Sequence, residues 1–355
     1  MMSQPNTLCA EALVENRKAI SQAAYQHLLE HTPQMTTRFG ENSQDHWTDH
    51  FLDRIAELSE SVSAGEPQIF SNHVGWAKQA MAARNLDATH LSGTLESLRF
   101  GIETVLSEDM AATVIACFDK ALALNDTEDE AAWDSALDPR HTCDSVALHY
   151  IQAVISGNIW LGMQIVLDAL EEGIVIQDIY LRVLLPAQIE VGRLWHLNEV
   201  SVAEEHLLTS TTQRLMSVLA HRAPRKPDRG HTVIAASVAG NAHDMGIRTI
   251  AYLMEFEGWR TIFLGSDMPR SELPAAIKFY NADVVLLSIA LSTQLRTLKR
   301  TVKDVRDVCG PTVKIMLGGH GLNSVPDLWK EIGGDGYSKS IEDAIALAAE
   351  LVSPS

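Results

Sequence analysis

The stretch VAGNAHDMGIRTI (residues 238–250) decides how the C-terminal third of this chain is read. It follows TVIAASV, an apolar run of the kind that forms a buried parallel strand. It leads into MGIRTIAYLMEF, whose apolar spacing is helical. Gly240 permits a tight turn between the two. His243 therefore falls on a loop at the carboxyl end of a strand, where open parallel sheets hold their ligands. An ordinary solvated loop histidine explains that one residue equally well, so its surroundings must decide.

From His231 onward, apolar runs alternate with helical stretches: TVIAASV, RTIFLG, DVVLLSIAL and VKIMLGG, separated by segments such as SELPAAIKFYN. Residues 230–355 are thus expected to form a doubly wound α/β sheet, Rossmann-like or flavodoxin-like. The third strand ends in LLSIALSTQ, with Ser288 and Ser292, and the fourth in IMLGGHG, with Gly318 and Gly319. Before the sheet, residues 140–222 hold four helical segments with short connections, which suggests a four-helix bundle. Ser201 and Glu204 form an S-x-x-E capping box, so the last of these helices should begin near Val202. APRKPDRG (223–230) is a linker, as is the acidic run NDTEDEAAWDSALDPRH (125–141). Residues 1–130 read as a separate all-α module, with amphipathic patterns such as HWTDHFLDRIAELSESV.

The chain has 355 residues, 46% of them hydrophobic, and a formal net charge of −18. Residues 1–130 hold 8 basic and 20 acidic side chains, a balance of −12. Nucleic-acid binding draws on a basic patch, so direct DNA binding is not expected. No apolar run reaches the roughly 20 residues that span a bilayer, and no secretion signal opens the chain. Cys9, Cys117, Cys143 and Cys309 are scattered, with no CxxC pair, so a reducing cytoplasm is the expected location.

The combination of x-x-H-x-x-G, a serine-bearing strand end and G-G resembles the cobalamin-binding domain of methionine synthase, corrinoid proteins and adenosylcobalamin enzymes. The resemblance implies that His243 ligates cobalt from below and that Gly246 makes room for the nucleotide tail. It implies further that Ser288, Ser292, Gly318 and Gly319 line the tail's pocket. Imidazole is a suitable cobalt ligand. Two departures stand out. Asn241 replaces the family's usual Asp, which leaves an amide to orient the imidazole without adding charge. The S-x-L motif is S-x-A here, with Leu291 one position late. A Rossmann-like sheet without cobalamin is the plain alternative.

In that family a four-helix cap precedes the sheet and covers the upper face of the corrin. WHLNEVSVAEEH (195–206) has the W-x9-E-H spacing that resembles the cap of CarH-type adenosylcobalamin photoreceptors. That resemblance implies that Trp195 packs on the 5′-deoxyadenosyl group and that Glu205 and His206 line its pocket. His196 would be the imidazole that takes the upper cobalt position after light. The alternative is a Trp195 in the bundle core with its histidines at helix ends.

The function so implied is a non-enzymatic light sensor, signalling to an unidentified downstream protein or through a homo-oligomer, dimer or tetramer. A corrinoid carrier for methyl transfer is the alternative function, and a mutase would need a substrate barrel that 130 residues cannot supply. The N-terminal module resembles photocobilins, which add a bilin. Tyr25, His27, His31, His73, Trp76 and His90 are its candidates for lining a non-covalent site for biliverdin or another bilin. As single residues they read equally well as core and surface.

Overall fold

The computed structural model of the protein describes residues 4–33, 43–85, 89–125 and 134–353. The chain divides into two compact units, Met1–Asp129 and Glu130–Ser355.

The first unit is helical: α1 (Gln4–Glu15), α2 (Arg17–His31), α3 (Ser43–Ala64), α4 (Pro67–Ala83), α5 (Thr89–Val105) and α6 (Glu108–Asn125). Its apolar stripes meet in one core that includes Leu13, Ile20, Leu28, Phe51, Ile55 and Phe118. α3 packs against α1, α2, α4 and α6, so even its polar face is buried, with Glu57, Ser59, Glu60, Ser61 and Ser63 inside. Buried polar groups need partners. Ser61 donates to the Glu66 carbonyl at 2.8 Å, and Glu57 meets Arg54 at 3.0 Å and His73 at 3.1 Å. Most of the expected acidic linker (126–133) and residues 86–88 lie outside the described residues.

The second unit opens with the bundle: α7 (Thr142–Ile155), α8 (Ile159–Glu171), α9 (Ile176–Asp178), α10 (Leu185–His196) and α11 (Val202–Arg222). Ser201 and Glu204 form the reciprocal capping box, and α11 starts at Val202. The third of the four helical segments, IQDIYLRVLLPAQIEVGRLWH (176–196), is not one continuous α-helix. Between α9 and α10 the chain widens into a π-helical stretch, Ile179–Leu184. Pro186 offers no N–H and crowds the preceding turn, which accounts for the widening ahead of it.

The sheet follows: β1 (Thr232–Val238), α12 (Met245–Phe256), β2 (Arg260–Met268), α13 (Leu273–Tyr280), β3 (Val284–Ser288), α14 (Leu295–Cys309), β4 (Lys314–Gly318), α15 (Leu328–Ile332), β5 (Gly336–Ser338) and α16 (Ile341–Val352). All pairings are parallel, in the order β2-β1-β3-β4-β5. The order reverses between β1 and β3, which makes the crevice past their ends the expected ligand site. Strand β5 carries no apolar run, and only the other four strands are legible as such. Leu253 and Phe256 of α12 join the bundle's core, so bundle and sheet share apolar packing.

Candidate functional site

Strand register brings small residues into one row across the carboxyl end of the sheet. Ser237 pairs with Ser288, Ser288 with Gly318, and Gly318 with Ser338. Side chains this short leave space above the strands. A cavity of about 150 Å³ opens there, lined by Gly246, Ser288, Gly318, Gly319, Ser338 and Lys339 among others. A Cβ placed on Gly246 would meet nothing within 4 Å. Gly319 is required for a different reason: its φ is +99°, and a Cβ would stand 2.2 Å from the Ile289 carbonyl oxygen. Four of the five residues expected around the tail thus share one cavity. Ser292 is buried and is not part of its lining.

The His243 loop is held by its main chain. Asn241 is fully buried; its amide N–H donates to the Ser288 carbonyl at 3.1 Å, and its oxygen accepts from the His243 N–H at 3.1 Å. Ser237 donates to the His243 carbonyl at 3.0 Å. Asn241 was expected to orient the imidazole; it clamps the backbone instead. An amide carries a donor and an acceptor, and this bridge uses both, whereas an ionised carboxylate would face the Ser288 oxygen with no proton to give. The clamp leaves the His243 side chain exposed. Gln294, which no motif indicates, joins the two loops of the crevice. It donates to the Gly240 carbonyl at 3.0 Å and accepts from the N–H groups of Ala290 and Leu291.

On the bundle side, two side-chain contacts tie α11 to α12 and the residue before it. Gln213 donates to Asp244 at 3.2 Å, and one turn further on Ser217 meets Tyr252 at 3.3 Å. Gln213 thus reaches Asp244, the residue after His243. Helical spacing puts Val202, Glu205, His206 and Thr209 on the same face as Gln213. Seven residues of helix separate His206 from Gln213, about 10 Å.

Glu205 and His206 are joined through Oε2 and Nδ1 at 2.5 Å, and Thr209 lies 2.8 Å from Glu205 Oε1. Trp195 is half-buried at the end of α10. One turn before it a Cβ on Gly192 would meet nothing within 4 Å, and earlier on the same helix Ile189 is 72% exposed. The structure therefore brings Trp195, Glu205 and His206 to one end of the bundle, next to open space. His196 differs: it is 2% exposed, packed inside the cap. An upper-ligand role for it requires the last turn of α10 to open.

Of the six N-terminal candidates, His27 and His31 touch each other. Tyr25 belongs to the core. His27 stacks on His31 at 4.0 Å and on Phe100 at 4.6 Å, and burial pulls its pKa down. His73 is spent on Glu57, while Trp76 is 41% exposed and His90 half-buried. A hollow of about 480 Å³ in this unit is lined by Gly65, Ala112, Ala116, Cys117 and Lys120 among others, and by none of the six. Among the described residues, no three His, Cys, Asp or Glu side chains group as a metal site, and no helix is long and apolar enough to cross a membrane.

Two segments of the second unit match family models, each described as a B12 binding domain: residues 147–220, the bundle, and residues 231–346, the sheet. The chain is a corrinoid-binding protein. A corrinoid protein of Desulfitobacterium hafniense (strain Y51) is 23% identical over 211 residues, covering 57% of this chain and 94% of that one. The HTH-type transcriptional repressor CarH of Myxococcus xanthus is 28% identical over 142 residues, 40% of this chain. The chain spans 47% of that repressor's length. The dimethylamine corrinoid protein of Methanosarcina barkeri is 26% identical over 122 residues, 34% of this chain and 56% of its own. The solved monomethylamine corrinoid protein of Methanosarcina barkeri has the same fold, at a TM-score of 0.52 and 20% identity, over 59% of this chain and 99% of its own.

Proposed function

We propose that the corrinoid is adenosylcobalamin and that the protein is a light sensor. The observation that supports this reading is that Trp195 and the Glu205–His206 pair lie at one end of the bundle, on either side of the turn between α10 and α11. The residues fit the cofactor. His243 is exposed and would ligate cobalt from below, and the glycine- and serine-lined cavity at Gly246, Ser288, Gly318 and Gly319 would admit the nucleotide tail.

When bound, adenosylcobalamin supplies a cobalt–carbon bond that visible light breaks. The chain does the rest. Trp195 offers an indole face to adenine. Glu205 accepts from the hydroxyl or amino groups of the adenosyl unit, and His206 steadies Glu205. His196, buried at the end of α10 ahead of the left-handed Asn198 at φ 60°, would be the residue to hold the cobalt once the adenosyl group has gone. That change of ligation biases the packing of bundle against sheet, and the signal passes to a partner protein or to a change of oligomer. This reading does not draw on a bilin.

The second reading is a corrinoid carrier for methyl transfer. The relatedness to a dimethylamine corrinoid protein favours it, and the open side of α10 at Ile189 and Gly192 would then receive a methyltransferase. Binding in the dark, followed by green light, separates the two. The sensor takes up adenosylcobalamin in preference to methylcobalamin, and its visible spectrum and elution volume change on illumination. A preference for methylcobalamin, or a light response absent from both spectrum and size, contradicts it.

A further inference from the structure

Among the residues that line the cavity at the carboxyl end of the sheet, one is charged. Ile247, Leu286, Met316 and Leu317 give the cavity apolar walls. Lys339, in the turn between β5 and α16, also lines it and is exposed, which places it at the mouth. The turn is held without its side chain. Ser338 donates to the Ser340 carbonyl at 2.7 Å, and Ser340 accepts from the Asp343 N–H at 3.0 Å. Among the described residues the Lys339 ammonium has no ion pair or hydrogen bond. Glu342 and Asp343, the nearest carboxylates in sequence, are exposed on the first turn of α16 and do not pair with it.

An ammonium at the rim of an apolar pocket suits a ligand of two unlike parts. An apolar ring enters such a pocket for the area it buries. A charge attached to that ring stays at the mouth, because taking it out of water costs far more than the walls return. The nucleotide tail of a cobalamin has both parts, an aromatic base and an ionised phosphodiester. Phosphate oxygens accept charge-assisted hydrogen bonds, and lysine meets them as a point charge.

We propose that Lys339 is a specificity-determining residue: its ammonium pairs with the phosphodiester of the tail, so the chain favours complete cobalamins over corrinoids that lack the charged tail. The pairing is independent of what occupies the upper position of the cobalt, so it serves a sensor and a methyl carrier alike. The inference rests on the reading that the cavity takes the nucleotide tail.

The test is a set of titrations in the dark, with adenosylcobalamin and with adenosylcobinamide, which lacks both phosphodiester and base. The proteins are the unaltered full chain, Lys339→Gln, Lys339→Arg and Gly246→Leu. At low ionic strength Lys339→Gln weakens adenosylcobalamin binding about fivefold, the upper range for an exposed ion pair, and leaves adenosylcobinamide within about twofold. The loss fades at about 0.5 M salt, which screens the pair, and Lys339→Arg does not show it. An unchanged adenosylcobalamin affinity in Lys339→Gln overturns the proposal. So does an equal loss for both ligands, or a loss that persists at high salt or in Lys339→Arg, since a disturbed turn would give those results. Gly246→Leu separates the proposal from the reading beneath it, because a blocked cavity should weaken adenosylcobalamin and spare adenosylcobinamide. If Gly246→Leu weakens neither, the tail lies elsewhere and both fail; if it weakens adenosylcobalamin while Lys339→Gln changes nothing, the proposal alone fails.

Discussion

Gly101 of the N-terminal module and Gly246 of the corrinoid-binding unit are both helical glycines, yet a methyl group added to each meets opposite surroundings. At Gly101 it would stand 2.6 Å from the Ile20 carbonyl oxygen and 3.2 Å from Ala24 Cβ, because α5 lies directly on α2. At Gly246 it would point into space. The first glycine is small so that two helices can touch; the second is small beside a cavity that nothing in the chain fills. The same contrast extends to polar groups. The module spends its buried ones internally, as Arg54 and His73 do on Glu57. The second unit ends a row of donors and acceptors at Glu205, on its surface. A binding site is recognised here by room more than by the residue types present.

The sharpest way to break this comparison is to fill both places. Gly246→Leu should lower adenosylcobalamin affinity by roughly a hundredfold or more, with the unfolding temperature of the chain little changed. Gly101→Ala should do the reverse, costing the module about 1–3 kcal/mol of stability and leaving corrin affinity unchanged. Titration and thermal unfolding of the two variants measure both effects, and a Gly246→Leu chain that still binds tightly would remove the cavity from the account.

A smaller effect sharpens the view of the module as closed. His50 on α3 is held among Trp47, Phe51 and Arg54, and burial pulls its pKa from 6.5 down to about 3. The folded module therefore refuses a proton that the unfolded chain accepts between those values, so stability falls as the pH drops from 6.5 toward 3. Thermal unfolding between pH 7 and pH 5 should show the module's transition moving down by several degrees. The shift should be smaller in His50→Leu, which has no proton to refuse. Equal shifts in both chains would show that His50 is not the group responsible.

Much of the second unit was legible because its signals are local. The strand–helix alternation after His231, the Ser201–Glu204 box and the positions of Gly246, Ser288, Gly318 and Gly319 are all spacings within a few residues, and backbone geometry turns such spacings directly into position. The illegible parts depend on distant contacts or on cancelled expectations. Strand β5 is three residues long and has no apolar run of its own. The π-helical stretch arises from one proline inside an otherwise regular pattern. Asn241 seemed placed to serve an imidazole, but the Ser288 carbonyl, 47 residues away, claims its amide. Gln213 and Gln294 act across helices or loops, where sequence spacing carries no information. In the module, the candidates were chosen by residue type, and only the stacked His27–His31 pair, four residues apart, follows from spacing.

The central claim is that the imidazole of His243 ligates the corrinoid cobalt. The direct measurement is the visible spectrum of adenosylcobalamin bound in the dark to the unaltered chain and to His243→Ala. Ligation predicts that the bound spectrum of the variant shifts to that of a corrinoid whose lower position holds water, with affinity reduced by about tenfold or more. Superimposable spectra at equal affinity would contradict it.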